Sequence, residues 1–110
     1  MATVPDSALL LYIRRANASP RLSREEELEL WHRWQHGLDD RAKDELVRSS
    51  LRCSVAIARK YQRYGLPLAE LIAEGNFGIV HALPKFEPEH GNRFESYSAY
   101  WIRAYCASGL

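Results

Sequence analysis

Phe94-Glu95-Ser96-Tyr97-Ser98-Ala99-Tyr100-Trp101-Ile102-Arg103-Ala104-Tyr105 is the stretch around which the chain reads most clearly. Five of its twelve residues are aromatic, and no proline or glycine interrupts it, so a helix fits. On that helix Phe94, Tyr97 and Trp101 follow i, i+3, i+7 and share a face, with Tyr100 on its flank. Tyr105 lies one turn beyond Trp101. Such a face has two uses. Aromatic side chains bury large areas and most often build a core. They also make stacking platforms for unpaired bases when cations such as Arg93 and Arg103 stand beside them to meet phosphates. Both hold if one edge of the face is buried and the other open.

Working outward, Lys85-Phe86-Glu87-Pro88-Glu89-His90-Gly91-Asn92 is a turn-rich loop feeding this helix. Before it, Leu68, Leu71, Ile72, Ile79 and Leu83 form an apolar stripe of helical period, started near Pro67 and stopped at Pro84. Glu70 and Glu74 give that helix an acidic face, with Asn76 near it. Gly75 and Gly78 inside it each cost about 1 kcal/mol relative to alanine, so their expected use is close helix packing or close approach of a partner.

A third helical pattern is expected to run unbroken from Asp39-Asp40 to about Tyr64, ended by Gly65. Leu46, Val47, Leu51, Ser54, Val55, Ala58 and Tyr61 recur at helical spacing. Its other faces carry Arg41, Lys43, Arg48, Arg52, Arg59, Lys60 and Arg63, a solvated face or a phosphate-tracking one. Upstream, Ser23-Arg24-Glu25-Glu26 reads as a capping box. The helix it opens has Leu28, Trp31 and Gln35 on one stripe, Leu30 and Trp34 beside it, and Gly37 placed to end it. A short first helix carries Leu9, Leu10 and Ile13, capped by Asp6 or Ser7, behind a loose leader over residues 1 to 5.

No strand-like alternation and no internal repeat occur. The expected fold is all-α: a compact bundle of about five helices in one domain of 110 residues. A net charge of +1 makes no global case for nucleic acid, so that case rests on local clusters. Cys53 and Cys106 are far apart and read as buried free thiols rather than a disulfide. His32 and His36, four apart, lack an evident third ligand, so no metal and no cofactor are expected. There is no Gly-rich phosphate loop, nucleophile elbow or local triad, and Glu70 and Glu74 read as surface rather than an acid pair, so an enzyme is not expected. With no basic segment ahead of an apolar stretch at the N-terminus, and a longest apolar run only from Ala8 to Ile13, no signal peptide, membrane span or membrane partner is expected, and the location is cytoplasmic.

Leu71-Ile72-Ala73-Glu74-Gly75-Asn76-Phe77-Gly78-Ile79 is similar to the most recognisable stretch of the bacterial sigma-70 family. Lys85-Phe86-Glu87-Pro88, Gly91, Arg93-Phe94, Ser96-Tyr97 and Trp101-Ile102-Arg103 follow at that family's spacing. Upstream, Ala42-Lys43, Leu46-Val47, Leu51-Arg52, Ile57-Ala58-Arg59-Lys60-Tyr61 and Tyr64-Gly65-Leu66 fit in the same register. Tyr12-Ile13-Arg14 and Leu22-Ser23-Arg24-Glu25-Glu26-Glu27 look like the short region ahead. The resemblance covers nearly the whole chain. Tyr64-Gly65-Leu66-Pro67 and Trp101-Ile102-Arg103-Ala104 bring it nearer to the alternative, heat-shock-type sigma factors than to the housekeeping one.

The resemblance implies a division: residues 1–37 match sigma region 1.2, and 38–110 match the core-binding and −10-recognition part of region 2. It implies that Glu70, Leu71, Glu74 and Asn76 dock on the clamp coiled coil of RNA polymerase. It also implies that the aromatic helix and its loop open the promoter −10 element and capture a flipped adenine of the non-template single strand. Tyr97 would stack on that base. Tyr100 and Trp101 would sit at the upstream edge of the bubble. Phe86, Arg93 and Phe94 would line the site, and Lys85 and Arg103 would meet phosphates. Phe94 would also pack, Ile102 would be buried, and Tyr97, Tyr100 and part of Trp101 would form the exposed face. Ser50, Leu51 and Arg52 stand where the family holds a second captured base. A base leaves the stack at a cost of a few kcal/mol, and stacking on an aromatic returns about 1–3 kcal/mol.

The chain departs from the family pattern at Ala73 and Ala104 (usually glutamine), Ser50 (usually asparagine), Asn92 (an aromatic in housekeeping members) and Tyr100 (a tryptophan there). It stops at Leu110, ahead of the family's −35-reading domain, so poor initiation by this stretch alone is expected. The alternative reading is a sigma-like interaction module that binds polymerase, or an anti-sigma partner, without opening promoters.

Overall fold

The computed structural model describes residues 7–109. Among them lie six α-helices and three short 3-10 turns, with no strand. The helices are α1 (Ser7–Ala18), α2 (Arg24–Gly37), α3 (Asp40–Ser49), α4 (Leu51–Tyr61), α5 (Leu68–Ala82) and α6 (Phe94–Ser108). The all-α expectation holds. The leader and the possible cap at Asp6 lie outside the described residues.

Local chemistry explains most helix ends. Ser23 Oγ accepts from the Glu26 amide at 3.1 Å, and Glu26 Oε1 accepts from the Ser23 amide at 2.8 Å, so the capping box forms as read. Asp39 Oδ1 accepts from the amides of Arg41 and Ala42 and opens α3. Gly65 adopts φ 101° and closes the 3-10 turn after α4, a conformation that a side chain would strain.

Three readings are corrected. The long third helix is two helices, broken at Ser50. There the Ser50 amide donates to Val47 O at 3.0 Å, an i−3 bond, and Ser49 Oγ donates to Leu46 O at 2.6 Å. Two adjacent serines offer local hydrogen bonds that compete with the α-helical ladder, and the chain turns. Second, α2 ends at Gly37, but the residue that turns left-handed to cap it is Leu38, at φ 51°, and not the glycine. Its amide donates to Trp34 O and the Asp39 amide to Arg33 O, which satisfies the last carbonyls of α2. Third, the buried stripe of α2 is rotated from the expected one. Glu27 and Leu30 face inward, Trp31 and Trp34 pack beside them, and Gln35 is exposed.

One core joins all six helices. It includes Ile13 and Ala16 of α1, Leu30 of α2, Leu46 of α3, Val55 and Ala58 of α4, Leu71 and Ile79 of α5, and Ile102 and Cys106 of α6. The α5–α6 pair is its spine, and its closeness is set by glycine. A Cβ on Gly78 would lie 2.7 Å from Trp101 O and 2.9 Å from Ile102 Cα, and one on Gly75 would strike Ser54 Oγ. The two glycines therefore serve helix packing, one of the two uses their sequence positions suggested.

Candidate nucleic-acid interface

The aromatic helix divides differently from the i, i+3, i+7 face. Its buried stripe is Phe94, Ser98, Ile102 and Cys106, each one turn from the next. Small side chains at Ser98 and Cys106 let α6 lie against α4 and α5. Ser98 Oγ meets Ser50 Oγ at 2.8 Å, and Cys106 Sγ donates to Leu71 O at 3.5 Å. The remaining aromatics are thereby turned to the flanks. Tyr97, Trp101 and Tyr105 are half-buried, and Tyr100 is 63% exposed.

The start of α6 is held from α2. No side chain of its own caps it. Instead the Phe94 amide donates to Glu27 Oε1 at 2.9 Å, and Arg93 Nε lies 3.5 Å from Glu27 Oε2. The Arg93 guanidinium also donates to Leu22 O. A carboxylate suits a helix N-terminus, where the unpaired amides carry partial positive charge. Glu27 was not singled out as functional by sequence reasoning; as one of three consecutive glutamates it gave no signal of being buried.

Two clefts flank this end of α6. The first, of about 230 Å³, is lined by Lys85, Phe86, Glu87, His90, Asn92 and Tyr97. Phe86 is buried beneath it, edge-on to Phe94 at 5.3 Å and tilted against Tyr97 at 5.9 Å. Tyr97 is therefore braced from below with a face left at the cleft, while Lys85 is exposed at its rim. Phe94 is fully buried, so it supports the cleft floor and does not line it. The second cleft, of about 220 Å³, is polar and lined by Arg21, Leu22, Glu27, Ser49, Arg93, Glu95 and Ser96.

Ser50, Leu51 and Arg52 are not brought to one cleft. Ser50 is buried against Ser98, and it is Ser49 that reaches the second cleft. Leu51 lines a separate groove with Tyr12, Arg15, Ala16, Ser19 and Arg48. The Arg52 guanidinium donates to Ser19 O. Ser50 closes α3 against Ser98, whereas Leu51 and Arg52 open α4 on the side of Ser19.

Further along α6, Tyr100 stands edge-on to Trp101 at 5.6 Å, and Trp101 packs on His81 of α5 with ring centroids 4.1 Å apart. Arg103 is exposed. Its charge and that of Lys60 both reach the Cys53 thiol and favour the thiolate, while burial, the larger effect, and Glu95 push that thiol up. Burial pushes the Cys106 thiol up too. His32 and His36 stack on each other at 5.6 Å, and no metal-binding group forms among the described residues.

On α5 the residues read as a docking face separate. Glu70 is exposed, Glu74 half-buried and Leu71 completely buried in the core, so Leu71 offers no surface. Asn76 is half-buried and donates through Nδ2 to the Tyr12 hydroxyl at 2.8 Å, a tie between α1 and α5. What α5 does present is Glu70, Ala73, Phe77 and Val80, with Phe77 62% and Val80 52% exposed. Sequence reasoning missed the last two. The signal was present, because Phe77 and Val80 fall outside the buried stripe of an otherwise well-patterned helix. Phe77 and Val80 are three residues apart, so their side chains are neighbours on that face.

Residues 46–110 match the family model described as Sigma-70 region 2. The chain is 44% identical over 100 residues to the RNA polymerase sigma factor RpoH of Caulobacter vibrioides, covering 91% of this chain and 34% of that protein. It is 42% identical over 99 residues to RpoH of Zymomonas mobilis, covering 90% of this chain and 33% of that one. It is 42% identical over 93 residues to the sigma factor RpoS of Coxiella burnetii, covering 84% of this chain and 26% of that one. The chain thus spans about a third or less of these relatives' lengths.

Proposed function

Because the chain belongs to the sigma-70 family of RNA polymerase sigma factors, we propose that it serves transcription initiation without catalysis, holding core polymerase through α5 and opening the promoter −10 element with α6. In this reading residues 38–110 carry both activities, and residues 1–37 brace them as the region-1.2 part of the same domain. The work is done on polymerase and promoter DNA in the cytoplasm.

The observation that carries the reading is the Tyr97 ring, braced by Phe86 at the edge of a cleft whose rim carries Lys85. A base of the non-template strand leaves the duplex and stacks on Tyr97, and Lys85 meets a phosphate. Tyr100 and Trp101 cover the last stacked pair upstream, with Arg103 at the backbone. The polar cleft beside Ser49 takes the second unpaired base, in place of the Ser50–Arg52 group. Phe94, Phe86 and Ser50 act through packing, and Arg93 through its hold on Glu27. Polymerase docks on Glu70, Ala73, Phe77 and Val80, with Glu74 at the margin.

The test is binding of the chain to a single-stranded −10 oligonucleotide and, separately, to core polymerase. Tyr97→Ala should weaken the first by at least tenfold and leave the second unchanged. Phe77→Ala should do the reverse. Full strand affinity in Tyr97→Ala refutes the stacking role. Polymerase or anti-sigma binding by the wild type with no strand affinity selects the alternative, an interaction module.

A further inference from the structure

We propose that His81 is a positioning residue that sets the pose of the Trp101 indole, and that Tyr105 holds His81 in place for this purpose. The inference rests on the reading of Trp101 as the cover of the upstream bubble edge. His81 sits on α5 three residues after Gly78, where a Cβ would strike the α6 backbone at Trp101 and Ile102. Its ring lies under Trp101, centroids 4.1 Å apart and planes tilted by 40°. Its Nδ1 is 2.9 Å from the Tyr105 hydroxyl, one turn along α6 from Trp101. The three side chains form a closed wedge: two come from one helix, and the third enters between them from the other.

Stability alone does not account for this wedge. The bond between the Tyr105 hydroxyl and Nδ1 forms with either as donor, so it leaves Nε2 to find a partner of its own. Nε2 is buried without a hydrogen-bond partner among the described residues, and so is Trp101 Nε1. Two buried polar atoms without partners weaken a fold, and an apolar side chain at position 81 would remove one of them. What the imidazole supplies instead is a flat support for the indole, fixed in rotation by a hydrogen bond that no apolar side chain makes. A large ring at a helix flank otherwise samples more than one rotamer. A single pose favours capping a duplex end, because a pre-set platform loses less freedom when DNA arrives.

The test uses the chain with its tryptophans replaced biosynthetically by 5-fluorotryptophan, the Trp101 fluorine signal being assigned with Trp101→Phe. His81→Ala and Tyr105→Phe should each shift or broaden that signal and leave those of Trp31 and Trp34 in place. In parallel, affinity is measured for two probes: a fork-junction oligonucleotide, duplex upstream and single-stranded across the −10 hexamer, and the single strand alone. His81→Ala should lose about tenfold on the fork and less than twofold on the strand. Tyr105→Phe should lose about threefold on the fork. The double variant should be no worse than His81→Ala, since both act through one ring. His81→Asn, which keeps an acceptor near the Nδ1 position, should recover part of the loss. An unmoved Trp101 signal overturns the proposal, as does equal loss on both probes. If the wild type binds neither probe, the promoter-opening reading fails, and the fluorine signals alone then decide whether His81 sets the indole.

Discussion

The Glu27 carboxylate of α2 receives the Phe94 amide at 2.9 Å and caps a helix that begins 67 residues later in the chain. The same carboxylate faces Arg93, whose guanidinium returns to Leu22 at the mouth of α2. The N-terminal helices are thus tied to the first turn of the aromatic helix by a buried charge with two partners.

Removal of Glu27 leaves the Phe94 amide buried and unpaired. Glu27→Ala is expected to destabilise the chain by about 2 kcal/mol, combining a lost cap with a lost charge-assisted hydrogen bond. Urea unfolding followed by circular dichroism measures it. Glu27→Gln, which keeps the acceptor, should lose less than half as much. Equal losses would mean that the charge and not the cap matters.

Gly78 and Gly75 should respond unequally to alanine. At Gly78 the added methyl meets the backbone of Trp101 and Ile102, which cannot move without separating α5 from α6. A cost of about 1–3 kcal/mol is expected, despite alanine's better helix propensity. At Gly75 the closest obstacle is the Ser54 hydroxyl, which rotates about one bond. Gly75→Ala should cost less, and Ser54→Ala should recover much of that cost. Thermal melts of Gly78→Ala, Gly75→Ala and the Gly75→Ala/Ser54→Ala double variant decide the order.

Leu38 carries a left-handed backbone with its side chain 80% exposed, so its strain has no packing to offset it. Leu38→Gly should stabilise the chain by about 0.5–1 kcal/mol, the relief of left-handed strain less the extra freedom of glycine when unfolded. A lower melting temperature would show that Leu38 contributes contacts of its own.

Stability should fall on the acid side, and Asp39 identifies one source. The Arg33 guanidinium, hydrogen bonded at 2.7 Å, and then the Ala42 amide hold its carboxyl below the ordinary value of 3.8. The folded state therefore binds this proton less readily than the unfolded state. The contribution is complete above about pH 3.8 and is lost as pH falls through the depressed value. Glu26, lowered mainly by the Ser23 amide from 4.5, acts in the same sense. Stability measured against pH should show wild type and Asp39→Asn converging below this range; a constant gap would exclude the linkage.

Much was legible beforehand because it is local. The Ser23 capping box, the Asp39 cap and the helical period of α5 depend on neighbours within a turn or so, and all are present in the fold. The division of the aromatic run was legible in part: Ile102 is buried and Tyr100 open as expected, but the full burial of Phe94 and the stripe through Ser98 and Cys106 were not read. Five aromatics at mixed spacing fit several faces, and the choice fell to Ser98 and Cys106, whose small size admits α4 and α5 along one line. The Ser50 break was hidden because the apolar period continues through it. Leu71 stood in the docking set with Glu70 and Glu74, yet it is completely buried in the core.

By itself the sequence determined the all-helical class, most helix ends and the likeness to the sigma-70 family, since periodicity, caps and ordered motifs are properties of the linear chain. Only the tertiary structure decided that Phe94 is wholly buried in line with Ser98 and Cys106, that Glu27 caps α6, and that Phe77 and Val80 take the outer face of α5. Those outcomes depend on helix rotation, and rotation is set by close packing across helices distant in sequence, at Gly78 against Ile102 and Ser50 against Ser98.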